Sequence, residues 1–522
     1  MLKKLILFPF LFILYVIGGL VTSNLGQLDP SQAFVPLFIL LVVTGLMIGI
    51  IQTIVHDWHY AGYLGFISMA FFLIYGHLNR ALGSWIGDVP RNVRLILLVI
   101  WWFFMMGIGW KGIWRRLGSH RVTYALNLFF LCAVLIQGIA SIPGWMREYN
   151  LFSGQRGNAY LLNEEKEPDI QCQNTPDIYY IIADGHARAD VLQELYETDA
   201  TPFYSYLESK GFFIAGQSHA NYTQTAYSLS ASLNFSYLGL ANSGTGRIEY
   251  FKSLFSENRL MQWLKNCGYR IYTTQSGYSY SKFFPKNSDE THVAPLNDFT
   301  SLLLLGSPLD VFARFGAAPA LKDPYQSQCD LIHSEIEETR AISTSTGPNF
   351  VLMHIMAPHP PFVFDANGQP IRPDRDYTAL DGTAFPGSIE EYRTGYAEQV
   401  TYIDKLLIQT VETLLENSSS PPVIILQGDH GPGSSFDWDS VERSCLWERS
   451  AILNAYYLPG VDKSKLYPEI SPVNTFRLIL NEYFDADLDL LDDRSYYVYY
   501  QSLNQRVDIT DTRDTKDNCS IP

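Results

Sequence analysis

Two segments that lie far apart in the chain each place metal-ligating side chains directly after a run of strand-forming residues. Asp184 follows the β-branched and aromatic run 178–183, and Asp429 and His430 follow the run 423–427 within a Gly-Asp-His-Gly sequence. Each run is too short for a helix and ends at turn-forming residues. Carboxylates combined with an imidazole suit Mn²⁺ or Zn²⁺ better than Ca²⁺, which prefers oxygen ligands. Either motif alone could be a plain turn or a helix cap, but together they predict one divalent metal site.

A hydroxyl-rich segment, residues 221–234, precedes and enters a helix-like stretch. Thr225 is predicted to lie at or near the N-terminus of that helix. Free backbone amides and the helix dipole favour an anion at such a position, for example a phosphoryl group. The residues alone leave open the alternative that Thr225 is an ordinary helix-capping threonine.

The elements that must position these residues alternate between strand and helix. The strand-like runs are residues 178–183, 350–355 and 423–427, and the helical patterns are residues 190–210 and 392–416. This alternation predicts an α/β fold with a mostly parallel central sheet that helices cover on both faces. Ligands of such sheets bind beyond the carboxyl ends of the strands. Asp184, the turn from His354 to His359, and Asp429 with His430 are all expected at that edge.

The first 143 residues have a different character. They contain five apolar runs, at residues 5–21, 34–55, 61–75, 93–110 and 122–142. Each approaches the length of about 20 residues that crosses a bilayer, so the sequence predicts a multi-pass helical membrane domain of about five helices. Four spans with a re-entrant segment remain an alternative, because the third and fourth runs are short. A polar linker is expected over 144–175, followed by a soluble domain over 176–522.

Charge indicates the orientation and excludes one class of partner. Residues 1–143 carry nine basic and three acidic residues, so the acidic excess behind the net charge of −16 lies in the rest of the chain. Lys3 and Lys4 favour a cytoplasmic N-terminus, and five spans then place the soluble domain outside the cytoplasm. An acidic domain repels polyanions, which argues against nucleic acid as a partner. Of the six cysteines, Cys172 and Cys519 lie near the two ends of this domain and are expected to pair in an oxidising compartment.

These segments resemble the sulfatase-like branch of the alkaline phosphatase superfamily, particularly lipoteichoic acid synthases and phosphoethanolamine transferases, over residues 176–459. The resemblance implies that Asp184, Thr225, Asp429 and His430 hold the metal and that Thr225 is the nucleophile. The Thr-Ala-x-Ser pattern selects Thr225 over the neighbouring Thr223.

Two further segments take part in the resemblance. The segment "HIMAPHPPF" contains His359, which corresponds to a family histidine that contacts the substrate phosphate. The helix pattern 396–415 resembles the family helix before the Asp-His strand, and its Asp404 is expected to be structural.

The departures from the family pattern narrow the expected chemistry. The chain lacks the C/S-x-P-S-R sequence that sulfatases convert to formylglycine, which disfavours sulfate ester hydrolysis. It has no histidine after His430, which argues against a second metal held only by protein ligands. At the first metal-ligand position this chain has Asp184, whereas lipoteichoic acid synthases have Glu. Those enzymes also have a histidine near the segment that corresponds to residues 272–278, and this segment contains no histidine here, which puts their substrate in doubt for this chain.

The resemblance implies a membrane-anchored, metal-dependent phosphotransferase of the plasma or inner membrane, with an extracytoplasmic catalytic domain. Its expected cofactor is one divalent ion, Mn²⁺ or Zn²⁺, which lowers the pKa of the Thr225 hydroxyl. Its expected partners are a phospholipid donor and an envelope glycan or lipid acceptor. Two alternatives stay open: an extracytoplasmic phosphodiesterase, phosphatase or sulfatase-like hydrolase, and a membrane protein that binds without catalysis.

Overall fold

The computed structural model describes residues 5–23, 30–86, 91–108, 119–149, 160–162, 172–240, 247–274, 276–278, 280, 300, 303, 307–309, 323–373, 375, 377–500, 502 and 505–519. The chain divides into two compact units. The first comprises Met1–Leu151 with Pro295–Asp323, and the second comprises Phe152–Ala294 with Pro324–Pro522.

The first unit contains a helix at each of the five predicted apolar runs. Their bounds are Phe8–Ser23, Phe34–Val55, Trp58–Ile86, Arg91–Ile108 and Ser119–Tyr149. Among the described residues, three segments are long and apolar enough to cross a membrane: Pro30–Val55, Trp58–Asn79 and His120–Trp145. The apolar helices Phe8–Ser23 and Val93–Phe104 are shorter. The predicted helical membrane region is thus confirmed, with three candidate spans by length and composition.

A side chain of the fifth helix anchors the start of the first helix. The Asn127 side-chain oxygen accepts from the backbone N–H of Phe8 at 2.8 Å, and its Nδ2 donates to the carbonyl of Leu5 at 2.7 Å. Buried backbone groups at a helix start need such partners, because the helix itself provides none. The basic residues Lys3 and Lys4, on which the predicted orientation rests, lie outside the described residues, as do 150–159 and 163–171 of the predicted linker.

The second unit is built around a six-stranded sheet with the order β2-β6-β5-β1-β4-β3. These strands are β1 (Ile178–Ala183), β2 (Phe213–Ile214), β3 (Arg270–Thr273), β4 (Asn349–Ile355), β5 (Val423–Gln427) and β6 (Asn454–Tyr457). The strand β1 lies in the centre and pairs in parallel with both β4 and β5, while β5 and β6 are antiparallel. A small two-stranded sheet pairs β7 (Tyr496–Val498) with β8 (Arg506–Asp508). The predicted mostly parallel sheet is confirmed.

Helices cover both faces of this sheet. Their bounds are Ala189–Tyr196, Thr201–Ser209, Thr225–Asn234, Arg247–Ser256, Arg259–Asn266, Pro324–Ile342, Ile389–Asn417, Leu446–Ser450 and Pro472–Phe484. Successive side chains of a strand point to opposite faces. Tyr180 and Ile182 of β1 therefore pack in one core with the helix Thr225–Asn234, and Tyr179 and Ile181 pack in another with Ile389–Asn417.

The central elements have nearly the predicted bounds, but one predicted helix is wrong. The pattern 190–210 forms two helices, Ala189–Tyr196 and Thr201–Ser209, instead of one. The first ends at Glu197, whose φ of 50° is left-handed and stops the helix. The second helix begins at Thr201 and has Pro202 in its first turn, where proline is tolerated because its missing N–H has no partner within the helix, whereas the same proline inside one continuous helix would break it.

The predicted disulfide between Cys172 and Cys519 is also wrong. Cys172 pairs with Cys267, and Cys445 pairs with Cys519. The first bond joins Cys172, near the start of the second unit, to the residue after the helix Arg259–Asn266. The second joins the C-terminal segment to the residue before the helix Leu446–Ser450. Sequence position alone could not distinguish these pairings.

Candidate active site

The side chains of Asp184, Asp429 and His430 meet at the carboxyl edge of the sheet. Asp184 directly follows β1, and Asp429 is the second residue after the neighbouring parallel strand β5. One ligand atom from each of the three residues lies within 4.8 Å of the others, and all three residues are buried. The backbone N–H of Gly185 donates to Asp429 Oδ1 at 3.0 Å, which joins the ends of the two strands.

The imidazole of His430 is oriented with one nitrogen toward this group. Its Nδ1 lies 2.9 Å from the carbonyl oxygen of Gly431, so Nδ1 carries the proton and donates it there. Nε2 then presents a lone pair, 3.6 Å from Asp184 Oδ1 and 3.4 Å from Asp429 Oδ2. Burial, followed by the charge of Arg449, lowers the pKa of His430 below its ordinary value. The ring is therefore held in the neutral form that binds metals.

Two carboxylate oxygens in this group lack a hydrogen-bond partner among the described residues. They are Asp184 Oδ1 and Asp429 Oδ2, and both are buried. Burial alone would raise the pKa of Asp184, but His359, His354 and His430 lower it below the usual range, so the group remains ionised. A buried carboxylate oxygen without a partner is costly unless a cation or a donor meets it. The unpaired oxygens and the free imidazole nitrogen fit a divalent metal ion.

Thr225 is the first residue of the helix Thr225–Asn234, and its side chain lies beside this group. Its Oγ1 is 3.1 Å from His430 Nε2. The neighbouring Thr223 has a different environment, because its hydroxyl accepts from the backbone N–H of Val498 at 3.1 Å. Only Thr225 of the two therefore combines a place near the metal-binding group with a helix N-terminus that attracts anions.

His359 lies on the turn after β4, which the structure brings against the turn after β1. Its backbone N–H donates to the carbonyl of Asp184 at 2.9 Å, and its ring centroid is 6.2 Å from that of His430. Its Nδ1 lies 2.7 Å from the carbonyl of Pro360, so Nε2 is the nitrogen that faces the site, 3.7 Å from Asp381 Oδ2. The side chain is 11% exposed, which leaves it reachable by a ligand.

Three residues to which the sequence analysis gave no role also belong to the site. His354 Nε2 lies 3.3 Å from Asp184 Oδ2, while its Nδ1 contacts Ser276 Oγ at 2.9 Å. The position of His354 at the end of a predicted strand was a signal for it. Asp381 and Arg449 form a buried ion pair, with Arg449 Nη1 2.5 Å from Asp381 Oδ2. Nothing in a single sequence marks either of these two residues.

Arg449 keeps Asp381 ionised. Burial opposes ionisation of this carboxyl, but the charge of Arg449, then the interactions with the His359 and His430 rings, and a hydrogen bond from Tyr392 lower its pKa to about 2. The Tyr392 hydroxyl donates to Asp381 Oδ1 at 2.7 Å. Asp381 is therefore a fixed negative charge beside His359.

The turn that carries Asp184 is held by contacts with the helix Ile389–Asn417. The buried His186 lies two residues after Asp184, and its Nε2 is 2.8 Å from Asp404 Oδ1 on the helix Ile389–Asn417. The hydroxyl of Tyr396, on the same helix, donates to the carbonyl of Gly185 at 2.9 Å. These contacts agree with the predicted structural role of Asp404.

Comparison with known proteins gives one family match. The family model described as "Sulfatase" matches residues 176–469. No curated protein matches the chain by sequence.

Several solved structures are similar to the chain at low sequence identity. The C-terminal periplasmic domain of EcEptC from Escherichia coli is 11% identical, with a TM-score of 0.43, and the match covers 68% of this chain and 100% of that one. The integral membrane lipooligosaccharide phosphoethanolamine transferase A from Neisseria meningitidis is 13% identical, with a TM-score of 0.40, and the match covers 96% and 97% of the two chains. A protein in the alkaline phosphatase superfamily from Vibrio parahaemolyticus is also 13% identical, with a TM-score of 0.40 and coverage of 68% and 81%.

Proposed function

This chain belongs to the sulfatase family and is an enzyme of the alkaline phosphatase superfamily, and from that premise we propose that it is a membrane-anchored phosphotransferase with Thr225 as its nucleophile. The observation that carries the proposal is the hydroxyl of Thr225 at a helix N-terminus, 3.1 Å from a histidine of the metal-binding group. A threonine at this position supplies an oxygen nucleophile, whereas sulfate ester hydrolysis in the family requires formylglycine.

The residues that would hold the metal are Asp184, Asp429 and His430, together with the hydroxyl of Thr225. A bound Mn²⁺ or Zn²⁺ would supply positive charge that stabilises both an ionised threonine oxygen and the charge on phosphoryl oxygens. The backbone amides at the start of the helix Thr225–Asn234 add donors and a favourable dipole at the same place.

The proposed transfer proceeds in two balanced steps. In the first, the Thr225 hydroxyl loses its proton to solvent, a bond forms between Oγ1 and phosphorus, and the bond from phosphorus to the leaving alcohol breaks. His359 donates a proton to the leaving oxygen, which becomes the free alcohol. In the second, an acceptor alcohol attacks the phosphothreonine ester, its proton passes to His359, and Thr225 leaves and regains a proton.

His359 is suited to this role by its surroundings. Its Nδ1–H is fixed on the carbonyl of Pro360, so Nε2 is the nitrogen that gains and loses the proton. The carboxylate of Asp381 lies 3.7 Å from Nε2, the atom that exchanges the proton in the proposed steps.

The membrane helices favour a lipid as the donor. A phospholipid headgroup lies at the membrane surface, where a tethered enzyme meets it at high effective concentration. An envelope glycan or lipid is the proposed acceptor. The two disulfides of the second unit support an oxidising, extracytoplasmic compartment, since such bonds are rare in the cytosol.

A turnover experiment with headgroup-labelled phospholipid tests this function. Full-length protein in lipid nanodiscs is compared with Thr225→Ala and with the matched control Thr223→Ala, with and without a glycan acceptor. The proposal expects label to move to the acceptor in the wild type and the control, and turnover to fall to background in Thr225→Ala. Release of label to water at the same rate with or without acceptor would instead establish a hydrolase.

A further inference from the structure

Arg449 is a buried cation at the edge of the metal-binding group. Its residue is 1% exposed, and its guanidinium lies 4.6 Å from the ring centroid of Phe436 and 5.4 Å from that of Trp438. Burying a charged group without a partner is energetically costly. The position of this charge is therefore held by specific contacts.

Three of these contacts fix the guanidinium in place. Nε donates to the carbonyl of Thr223 at 3.0 Å, and Nη1 donates to Asp381 Oδ2 at 2.5 Å and to the carbonyl of Gly431 at 3.1 Å. Each acceptor is next to or within the site, since Thr223 precedes Thr225 by two residues and Gly431 follows His430. The guanidinium is thereby aimed at the place where Thr225 and His430 meet.

The remaining nitrogen of Arg449 faces the site without a strong acceptor. Nη2 lies 3.3 Å from His430 Nε2, the same atom that the metal would take. A guanidinium has five N–H groups, and the three contacts above together with the contact to His430 use four of them. One hydrogen of Nη2 therefore has no acceptor among the described residues. With Nε2 engaged by a metal, both Nη2 hydrogens require another acceptor beside Thr225.

Charge balance indicates what that acceptor is. Among the described residues, three buried carboxylates surround the site, those of Asp184, Asp429 and Asp381. One divalent cation neutralises two of these charges, and Arg449 neutralises the third. A phosphate ester brings a further negative charge, so its binding depends on every positive charge that the site has.

We propose that Arg449 binds the phosphoryl oxygens of the substrate through Nη2, as the second positive charge of a site with one metal. This inference rests on the proposed function and adds to it a residue that touches the substrate. Arginine suits the task because its planar fork can bind the Asp381 carboxylate with one nitrogen and a phosphoryl oxygen with another, which the single ammonium of lysine cannot reproduce.

A matched pair of variants separates this role from simple support of the fold. Arg449→Met alone would leave Asp381 buried without its partner, so the comparison is made between Asp381→Asn and the double variant Asp381→Asn/Arg449→Met. Both lack the carboxylate, and they differ only in the guanidinium. Arg477→Met is the control for loss of a buried arginine, because Arg477 is 1% exposed and donates to the carbonyls of Phe235 and Asp489.

The measurement is the affinity of full-length protein for Mn²⁺ and then, in the Mn²⁺-loaded protein, for inorganic phosphate by titration calorimetry. The proposal expects Asp381→Asn to bind phosphate more tightly than the wild type, because a competing negative charge is removed. It expects the double variant to bind phosphate at least tenfold more weakly than Asp381→Asn, with Mn²⁺ affinity unchanged in both. Arg477→Met should match the wild type in both affinities.

Other outcomes overturn the inference in distinguishable ways. Equal phosphate affinity in the two Asp381 variants, or loss of Mn²⁺ together with phosphate, would leave Arg449 as a support of the fold while the proposed function stands. If the Mn²⁺-loaded wild type itself does not bind phosphate, the proposed function fails. If the double variant does not fold, Asp381→Asn alone decides. The proposal expects this variant to bind phosphate more tightly than the wild type, and an equal or weaker affinity contradicts it.

Discussion

The hydroxyl oxygen of Thr225 lies 3.1 Å from Nε2 of His430, although 205 residues separate the two in the chain. The contact arises because the helix Thr225–Asn234 packs on one face of the sheet, and His430 lies three residues after β5, the strand next to the central strand β1. A nucleophile and a metal ligand are thus brought together by the topology. The chemical predictions below depend on that juxtaposition.

Metal binding should stabilise the fold. Asp184 Oδ1 and Asp429 Oδ2 are buried and lack partners among the described residues, so a cation that meets them binds the folded state selectively. At a concentration 100 times its Kd, such a ligand adds about 2.7 kcal/mol to the free energy of unfolding. Thermal unfolding of chelator-treated protein should therefore shift upward when Mn²⁺ or Zn²⁺ is added.

Asp184→Asn should abolish this shift, because it removes one ligand oxygen and its charge. The exposed Asp462→Asn serves as the control and should respond to metal like the wild type. An Asp184→Asn protein that metal stabilises as strongly as the wild type would place the ion elsewhere.

His359→Gln should slow turnover without loss of the metal. A positioned general acid contributes roughly 10² to 10⁴ in rate, and glutamine retains hydrogen-bonding ability but cannot transfer the proton. His333→Gln is the control, because His333 has no proposed role in the reaction. It lies on the helix Pro324–Ile342 and contacts the hydroxyl of Tyr402, on the helix Ile389–Asn417, at 2.9 Å. Full turnover in His359→Gln would remove this residue from the mechanism.

The stability of the second unit should depend on pH through Glu335. This carboxyl is 2% exposed. Burial raises its pKa well above the ordinary value of 4.5, the hydroxyl of Thr274 opposes the rise, and the charge of Glu338 adds to it. Because the folded pKa exceeds the unfolded one, the stability from the neutral form is complete below the unfolded pKa and is lost as pH rises through the folded pKa.

Glu335→Gln removes this dependence, since an amide does not ionise. The melting temperature of the variant relative to the wild type should therefore increase as pH is raised from about 5 to 8. Glu337→Gln, on the exposed side of the same helix, should show a constant difference. A difference for Glu335→Gln that stays constant over this range would show that Glu335 does not titrate there.

Loss of the disulfide between Cys172 and Cys267 should destabilise the fold. The bond joins residues 95 positions apart, and removing a native disulfide typically costs about 2–5 kcal/mol. The paired variant Cys172→Ser/Cys267→Ser should melt well below the wild type, whereas Cys132→Ser, in an apolar helix of the first unit, should not. Peptide mapping should recover Cys172 with Cys267, and recovery of Cys172 with Cys519 would contradict the structure.

Much of the scaffold can be predicted from the sequence because its signals are local. The strands β1 and β5 have the predicted bounds, since short apolar runs end at Asp184 and Gly428 and cannot continue as helices. The position of Asp184, Asp429 and His430 at one edge follows from the parallel topology. The identity of Thr225 as a candidate required the family resemblance, because an isolated threonine before a helix has no chemical signature.

The remaining features depend on tertiary contacts. Asp381 and Arg449 lie in segments without a repeating pattern, and only the fold brings them within 2.5 Å of each other. The disulfide partners depend on distances between loops in the same way. The end of the helix at Tyr196 did have a local signal, because Pro202 cannot lie inside a continuous helix without breaking it. The prediction of a single helix over 190–210 followed the apolar periodicity and gave this proline no weight.

The most direct test of the central claim is detection of the covalent ester on Thr225. Full-length, Mn²⁺-loaded protein is mixed with phospholipid vesicles, quenched in acid within one turnover, and digested for mass spectrometry. The account predicts a phospho-headgroup adduct on the peptide that contains Thr225, present in the wild type and Thr223→Ala, and absent in Thr225→Ala and after chelation. An adduct on another residue, or full turnover by Thr225→Ala, would contradict it.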